Sequence, residues 1–190
     1  MRSIYFVLAL VLLAASGCAH TFPDVTARHP SRGELAAPSD SALLTVFRGA
    51  RGGNSVVLFN ADGSPLCQLP ARTHCVLSLA PGHHRLYVYW ASDFVDALDV
   101  EVAPGRRYYA TVAAGYLRPM DEKLTPESER WAQLATFYDT PETVIDDAAL
   151  PRLLTGMPPF TEIRDQGDHR LSGYDERHVE AHTLRPDEGI

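Results

Sequence analysis

Apolar and polar positions divide the chain into stretches of different period. Ile4 to Ala15 is one unbroken apolar run of twelve, whereas Ala19 to Ser41 is rich in Pro, Ser, Gly and Ala and shows no apolar period. From Leu43 to Ala114 the pattern becomes short runs, at 43–48, 55–60, 64–69, 74–79, 84–90, 97–102 and 107–114, starting 9 to 13 residues apart. Leu86, Val88 and Trp90 alternate with Arg85, Tyr87 and Tyr89; Leu98, Val100 and Val102 alternate with Asp99 and Glu101. Period two puts neighbouring side chains on opposite faces of a strand, and short strands at this spacing predict an antiparallel β-sandwich or barrel. Turn residues fall between the runs at Asp62-Gly63, Pro81-Gly82 and Pro104-Gly105. There Gly supplies positive φ and Pro a fixed corner.

After Leu117 the period lengthens. Thr125-Pro126-Glu127 is a helix start, followed by Trp131, Leu134, Ala135 and Tyr138 on one face. Thr140-Pro141-Glu142 repeats the signal, with Val144, Ile145 and Ala148 behind it and Pro151 as the stop. A capping hydroxyl, Pro at the first helical position and early acids make each a helix nucleus. Gly156 to Phe160, with Pro158-Pro159, reads as a linker, and 161–190 as a charged tail poor in large apolar residues and therefore disordered. The expected organisation is a leader over 1–17, a tether over 18–41, a β-domain over 42–116, a helical extension over 117–155, and a linker and tail over 156–190.

The N-terminal run adds an address. It follows one basic residue, Arg2, and is too short for a helical bilayer span, which takes about 20 residues. It fits the core of a secretory signal peptide. The residues behind it, Ala15-Ser16-Gly17-Cys18, resemble the lipobox of bacterial lipoproteins, with Ala15 where that family favours Leu. The resemblance implies cleavage before Cys18, a diacylglycerol on its thiol and a fatty acid such as palmitate on its new amine. Two or three chains hold a protein to a bilayer almost permanently, at ~0.8 kcal/mol per buried methylene. Ala19 in place of Asp implies the periplasmic side of the outer membrane.

Charge narrows the partners. The 190 residues carry 17 Lys+Arg against 24 Asp+Glu, a formal charge of -7. The excess lies beyond residue 116, where sixteen acids meet eight bases. Neutralising phosphates needs a basic surface, so nucleic acid is not an expected partner.

With Cys18 lipidated, Cys67 and Cys75 remain, in a compartment that permits oxidation. Both are equidistant from Ala71, so a hairpin with the loop Pro70-Ala71-Arg72 would set them directly opposite each other. Opposed strand residues lie within disulfide reach, and a Cys67–Cys75 bond is expected. Two separate thiols are the alternative.

Asn60-Ala61-Asp62-Gly63, then Leu79-Ala80-Pro81-Gly82-His83-His84-Arg85-Leu86, then Val102-Ala103-Pro104-Gly105-Arg106-Arg107-Tyr108-Tyr109 are similar to a small-domain family of unknown function in bacterial envelope lipoproteins. The resemblance covers residues 42–116 and implies a transthyretin-like or carboxypeptidase-regulatory-like fold, a seven-stranded sandwich. Its motifs are turns and carry no catalytic residue across.

Candidate chemistry is sparse. His178 and His182 stand at i and i+4, and Asp168, His169 or Asp175 could complete a weak metal site, but Val179 occupies the position of the zinc-protease Glu. A solvated polar tail is the simpler account. His83 and His84 are adjacent on a strand and face opposite sides, so they cannot share one ion. Gly49-Ala50-Arg51-Gly52-Gly53 lacks the Lys-Ser/Thr ending and the helix of a phosphate loop. The aromatic group, above all Tyr87, Tyr89 and Tyr108, is the candidate binding face, since exposed rings stack on glycans or on a partner protein. The sequence thus leads to the expectation of a non-catalytic, cofactor-free binding or adaptor module on the membrane. The alternatives are a subunit of an envelope or secretion assembly, and a metal-binding protein using the C-terminal histidines.

Overall fold

The computed structural model describes residues 25–28, 37–49, 56–90, 94–113, 116–119, 142–145, 150–175 and 183–189. Its strands are β1 (Val25–Arg28), β2 (Ala42–Arg48), β3 (Val56–Phe59), β4 (Pro65–Leu69), β5 (Thr73–Leu79) and β6 (Gly82–Trp90). They continue as β7 (Phe94–Val102), β8 (Arg107–Ala113), β9 (Tyr116–Pro119), β10 (Glu142–Ile145) and β11 (Thr183–Leu184). Two helices, α1 (Leu150–Leu154) and α2 (Phe160–Asp175), precede β11. The strands from β2 to β8 form where the alternating runs place them.

One sheet has the order β1-β10-β5-β2-β8-β9 and the other β11-β7-β6-β3-β4. Their facing sides share one core, with Leu44, Val46, Leu77 and Tyr108 from the first sheet against Leu58, Leu69, Val88 and Val100 from the second. The expected seven-stranded antiparallel arrangement is not what forms, because both sheets are mixed. β2 pairs in parallel with β8, from Leu43↔Arg107 to Arg48↔Val112. The pairs β5·β10 and β7·β11 are parallel as well. The cause is a chain that alternates between sheets. After β2 it makes the β3–β4 hairpin in the second sheet, returns as β5, makes β6–β7, and returns as β8 on the other flank of β2. Alternation fixes which face is buried, not the direction of the neighbour.

Cys67 and Cys75 form a disulfide with Cα atoms 6.5 Å apart. The hairpin drawn around them is corrected: β4 and β5 lie in different sheets. Pro70-Ala71-Arg72 is an arch between sheets, with Arg72 at φ 60°, and the disulfide ties the sheets across the core. Buried Arg48 donates from Nη1 to the Leu69 carbonyl beside it, again joining one sheet to the other. Burial lowers the pKa of this guanidinium to about 10.

Three further expectations change as well. Residues 142–145, assigned to a helix, are strand β10, paired antiparallel with β1 from Val25↔Ile145 to Arg28↔Glu142. Thr143, Val144 and Ile145 are β-branched, which favours a strand over a helix. The same pairing puts part of the supposed tether into the sheet. The described parts of the tail expected to be disordered, 161–175 and 183–189, are docked. α2 lays Ile163 and Leu171 on the outer face of the second sheet, against Val57, Phe59, Tyr87 and Ala97. Leu184 enters the main core, Tyr108 Oη donates to the Pro186 carbonyl at 3.0 Å, and Arg106 donates to the Gly189 carbonyl at 2.6 Å. The helix expected over 131–138 lies outside the described residues.

Candidate functional site

β6 lies at the centre of the site. Its residues 83, 85, 87 and 89 face outward and 84, 86, 88 and 90 inward. Antiparallel pairing with β7 sets Arg85 opposite Asp99 and His83 opposite Glu101. Arg85 Nε donates to Asp99 Oδ1 at 2.7 Å and Nη2 to Oδ2 at 2.8 Å. This is a two-pronged pair of the kind a planar guanidinium makes with a carboxylate. Arg85 Nη1 also reaches Asp168 Oδ1 at 3.1 Å, and Tyr87 Oη donates to the same oxygen at 2.8 Å. His83 Nε2 stands 3.3 Å from Asp99 Oδ1. One network thereby ties β6, β7 and α2 together. The hydrogen bonds to Asp99 hold the Arg85 pKa above its ordinary value. Burial, and then the bond donated to Asp168, push the Tyr87 phenol up to about 12.

α2 reaches the sheet at this point because of its sequence. Phe160, Ile163, Gly167 and Leu171 recur at spacings of three and four, which is one helical face. Glu162 N–H donates to the Pro159 carbonyl at 2.9 Å to open the first turn. The Phe160 ring stands edge-on to Tyr87, centroids 5.5 Å apart at 88°. At Gly167 a Cβ would lie 2.7 Å from the Tyr87 ring, so the helix approaches the sheet more closely than any side chain there would allow.

A cleft of about 820 Å³ opens beside the first half of β6. Leu66, Leu79 and Leu86 line its inner side, His83, Arg85 and Arg164 its outer side, and the turn from Asn60 to Asp62 its end. That turn closes on itself. Asn60 N–H donates to the Ser64 carbonyl, and Ser64 N–H is shared by Asn60 Oδ1 and Asp62 Oδ1. The Ser64 hydroxyl and amide together hold the Asp62 carboxyl below its ordinary pKa.

The residues singled out by sequence meet different fates. Tyr87, Tyr89 and Tyr108 are buried, at 2%, 5% and 0% exposure, so the proposed exposed aromatic face is corrected. α2 covers Tyr87, Tyr89 belongs to the same outer cluster with Leu153 of α1, and Tyr108 points into the main core, where its hydroxyl also accepts the Ala103 N–H at 2.8 Å. His83 and His84 line the cleft from the two faces of β6. Asp168 serves Arg85 and Tyr87. Cys18, His178 and His182 lie outside the described residues. Among the described residues, no three His, Cys, Asp or Glu side chains converge to hold a metal ion, and no helix is long and apolar enough to cross a membrane. Sequence reasoning missed the Arg85–Asp99–Asp168 network. The opposite charges of Arg85 and Asp99 become a cross-strand pair only once the β6–β7 register is known.

Neither the known protein families nor the curated proteins contain a match to the chain.

Proposed function

We propose that the protein is a lipoprotein of the bacterial envelope, held on the periplasmic side of the outer membrane by acyl chains at Cys18, and that its two-sheet domain is a non-catalytic binding module. The observation that carries the anchor is the twelve-residue apolar run Ile4 to Ala15 ending on Ala15-Ser16-Gly17-Cys18. The binding role is supported by the open cleft beside β6, which has an apolar inner side and a polar rim. Of the charged groups on its rim, Arg85 is engaged in holding α2 to the sheet, donating to both Asp99 and Asp168. That use favours a docking surface over a reaction centre. The finer family reading, a transthyretin-like sandwich of the envelope-lipoprotein type, rests on the turn motifs at 60–63, 79–86 and 102–109.

Cys18→Ala is expected to move the protein from the membrane fraction to the soluble periplasmic fraction, read by fractionation and immunoblot. Unchanged partitioning of the variant would overturn the anchor.

A further inference from the structure

The first sheet turns one side to the second sheet and the other away from it. Leu44, Val46, Cys75, Leu77, Tyr108 and Ala110 enter the shared core, so alternation turns Thr45, Phe47, His74 and Tyr109 to the outer face. These four are nonetheless buried, Phe47 and His74 at 0% exposure and Thr45 and Tyr109 at 3%. The registers align Phe47 with His74 and Thr45 with Tyr109. Their rings form a row across three strands, with Phe47 5.6 Å from His74 and stacked on Tyr109 at 6.2 Å. The cover thins away from this level. Two residues further along, Leu43 is 8% exposed, Arg107 beside it is half-buried, and Ser78 on its other flank is exposed. The described helices pack elsewhere, with Leu153, Ile163 and Leu171 on the far side of the second sheet.

The chain leaves this sheet and re-enters it at that same level. β9 ends at Pro119, opposite Ala110, which is level with Val46. β10 begins at Glu142, level with His74 and so with Phe47. The pairings make β9 and β10 run in the same direction, with β8, β2 and β5 between them. Strands so related need a crossover, usually a helical one. Four strand spacings amount to about 19 Å. The second sheet fills the inner side, which leaves the outer face for the crossing. We propose that residues 120–141, which lie outside the described residues, cross the outer face of the first sheet at the level of Phe47 and seat Trp131, Leu134, Ala135 and Tyr138 on the row of rings. A helix from Pro126 to Tyr138 is about 20 Å long, enough for the crossing. Its apolar stripe from Trp131 to Tyr138 covers about 10 Å, the separation of β5 and β8 on either side of β2. Residues 120–125 and 139–141 remain to turn into and out of it. A path around the strand ends would leave the rings to solvent. The inference stands apart from the binding role and assigns this face to the chain itself rather than to a partner.

The test uses the full-length protein, whose two tryptophans are Trp90 and Trp131. Trp90→Phe leaves Trp131 as the sole emitter. Its emission is expected to be blue-shifted from that of the urea-unfolded chain and several-fold less open to acrylamide quenching, at every protein concentration. A double-mutant cycle locates the contact. Trp131→Leu and Phe47→Leu together should change the unfolding constant by a factor that departs about fivefold from the product of the single effects. Trp131→Leu with Val57→Ala, on the outer face of the second sheet, should give the simple product. Hydroxyl-radical labelling of Phe47 and Tyr109 should rise several-fold in Trp131→Asp, with Tyr87 as in the parent. The proposal is overturned by a Trp131 quenched as readily in the folded protein as in urea, by independent effects of Trp131→Leu and Phe47→Leu, or by unchanged labelling of Phe47 and Tyr109. Protection that appears only at high protein concentration would assign the face to a second copy and overturn it too. Should Trp131→Asp unfold the whole molecule, Tyr87 is labelled along with the others, and the cycle built on Trp131→Leu decides.

Discussion

Tyr87 shows how one side chain serves two surroundings. Its ring lies between the sheet and α2, while its hydroxyl reaches Asp168 at 2.8 Å beside the Arg85 guanidinium. The fold keeps the phenol protonated, raising its pKa from 10.0 to about 12. Between those values the unfolded chain loses this proton and the folded chain retains it. The associated stability is therefore complete below pH 10 and is lost as pH rises toward 12. Two pH units correspond to about 2–3 kcal/mol at most. Urea unfolding followed from pH 9 to 12 should show a steeper loss for the parent than for Tyr87→Phe, and parallel curves would mean that the phenol is not held. At neutral pH the same substitution is expected to cost about 1 kcal/mol for the lost hydrogen bond.

At the scale of elements, α2 is held by what it lacks as well as by what it buries. Gly in a helix interior is about 1 kcal/mol less favourable than Ala, so Gly167→Ala would stabilise an isolated helix. Here the added methyl would meet the Tyr87 ring at 2.7 Å and Ala97 Cβ at 3.4 Å. Overpacking of this kind costs about 1–3 kcal/mol. The variant is expected to be less stable than the parent by about 1 kcal/mol in thermal unfolding; a gain in Tm would show that the helix can lift away without loss. The same element shows what could be read beforehand. β2 to β8 were legible because they are short apolar runs between Gly and Pro corners, three of them with a clean period of two. α2 was not, because its apolar face is only Phe160, Ile163 and Leu171 around a glycine, behind a Pro-Pro pair that reads as linker. β10 was misread because Thr140-Pro141-Glu142 opens a strand as readily as a helix, and the deciding partner, β1, lies more than a hundred residues upstream. The cleft was visible only as scattered residues: His83, Arg85 and Leu86 come from one strand, but Leu66, Leu79 and Arg164 reach it from three other elements.

At the scale of the molecule, the two sheets are joined at the β4–β5 arch by the Cys67–Cys75 disulfide and by Arg48 on the Leu69 carbonyl. A bond closing so short a loop contributes about 2–3 kcal/mol by the chain-entropy estimate. The double variant Cys67→Ala, Cys75→Ala is expected to unfold at lower urea concentration by about that free energy, and reduction of the parent should give the same shift. No shift in either would show that the arch is fixed without it. The pairing of Val25–Arg28 with Glu142–Ile145 carries a different consequence, one of timing. A strand made early in synthesis has its partner only after more than a hundred further residues have been added. At 5–20 residues per second that is a wait on the order of ten seconds. β7 likewise gains its outer neighbour only when Thr183 and Leu184 exist. The protein must therefore fold late and from far-separated parts, the regime in which chains fold slowly and leave open sheet edges exposed to other polypeptides meanwhile.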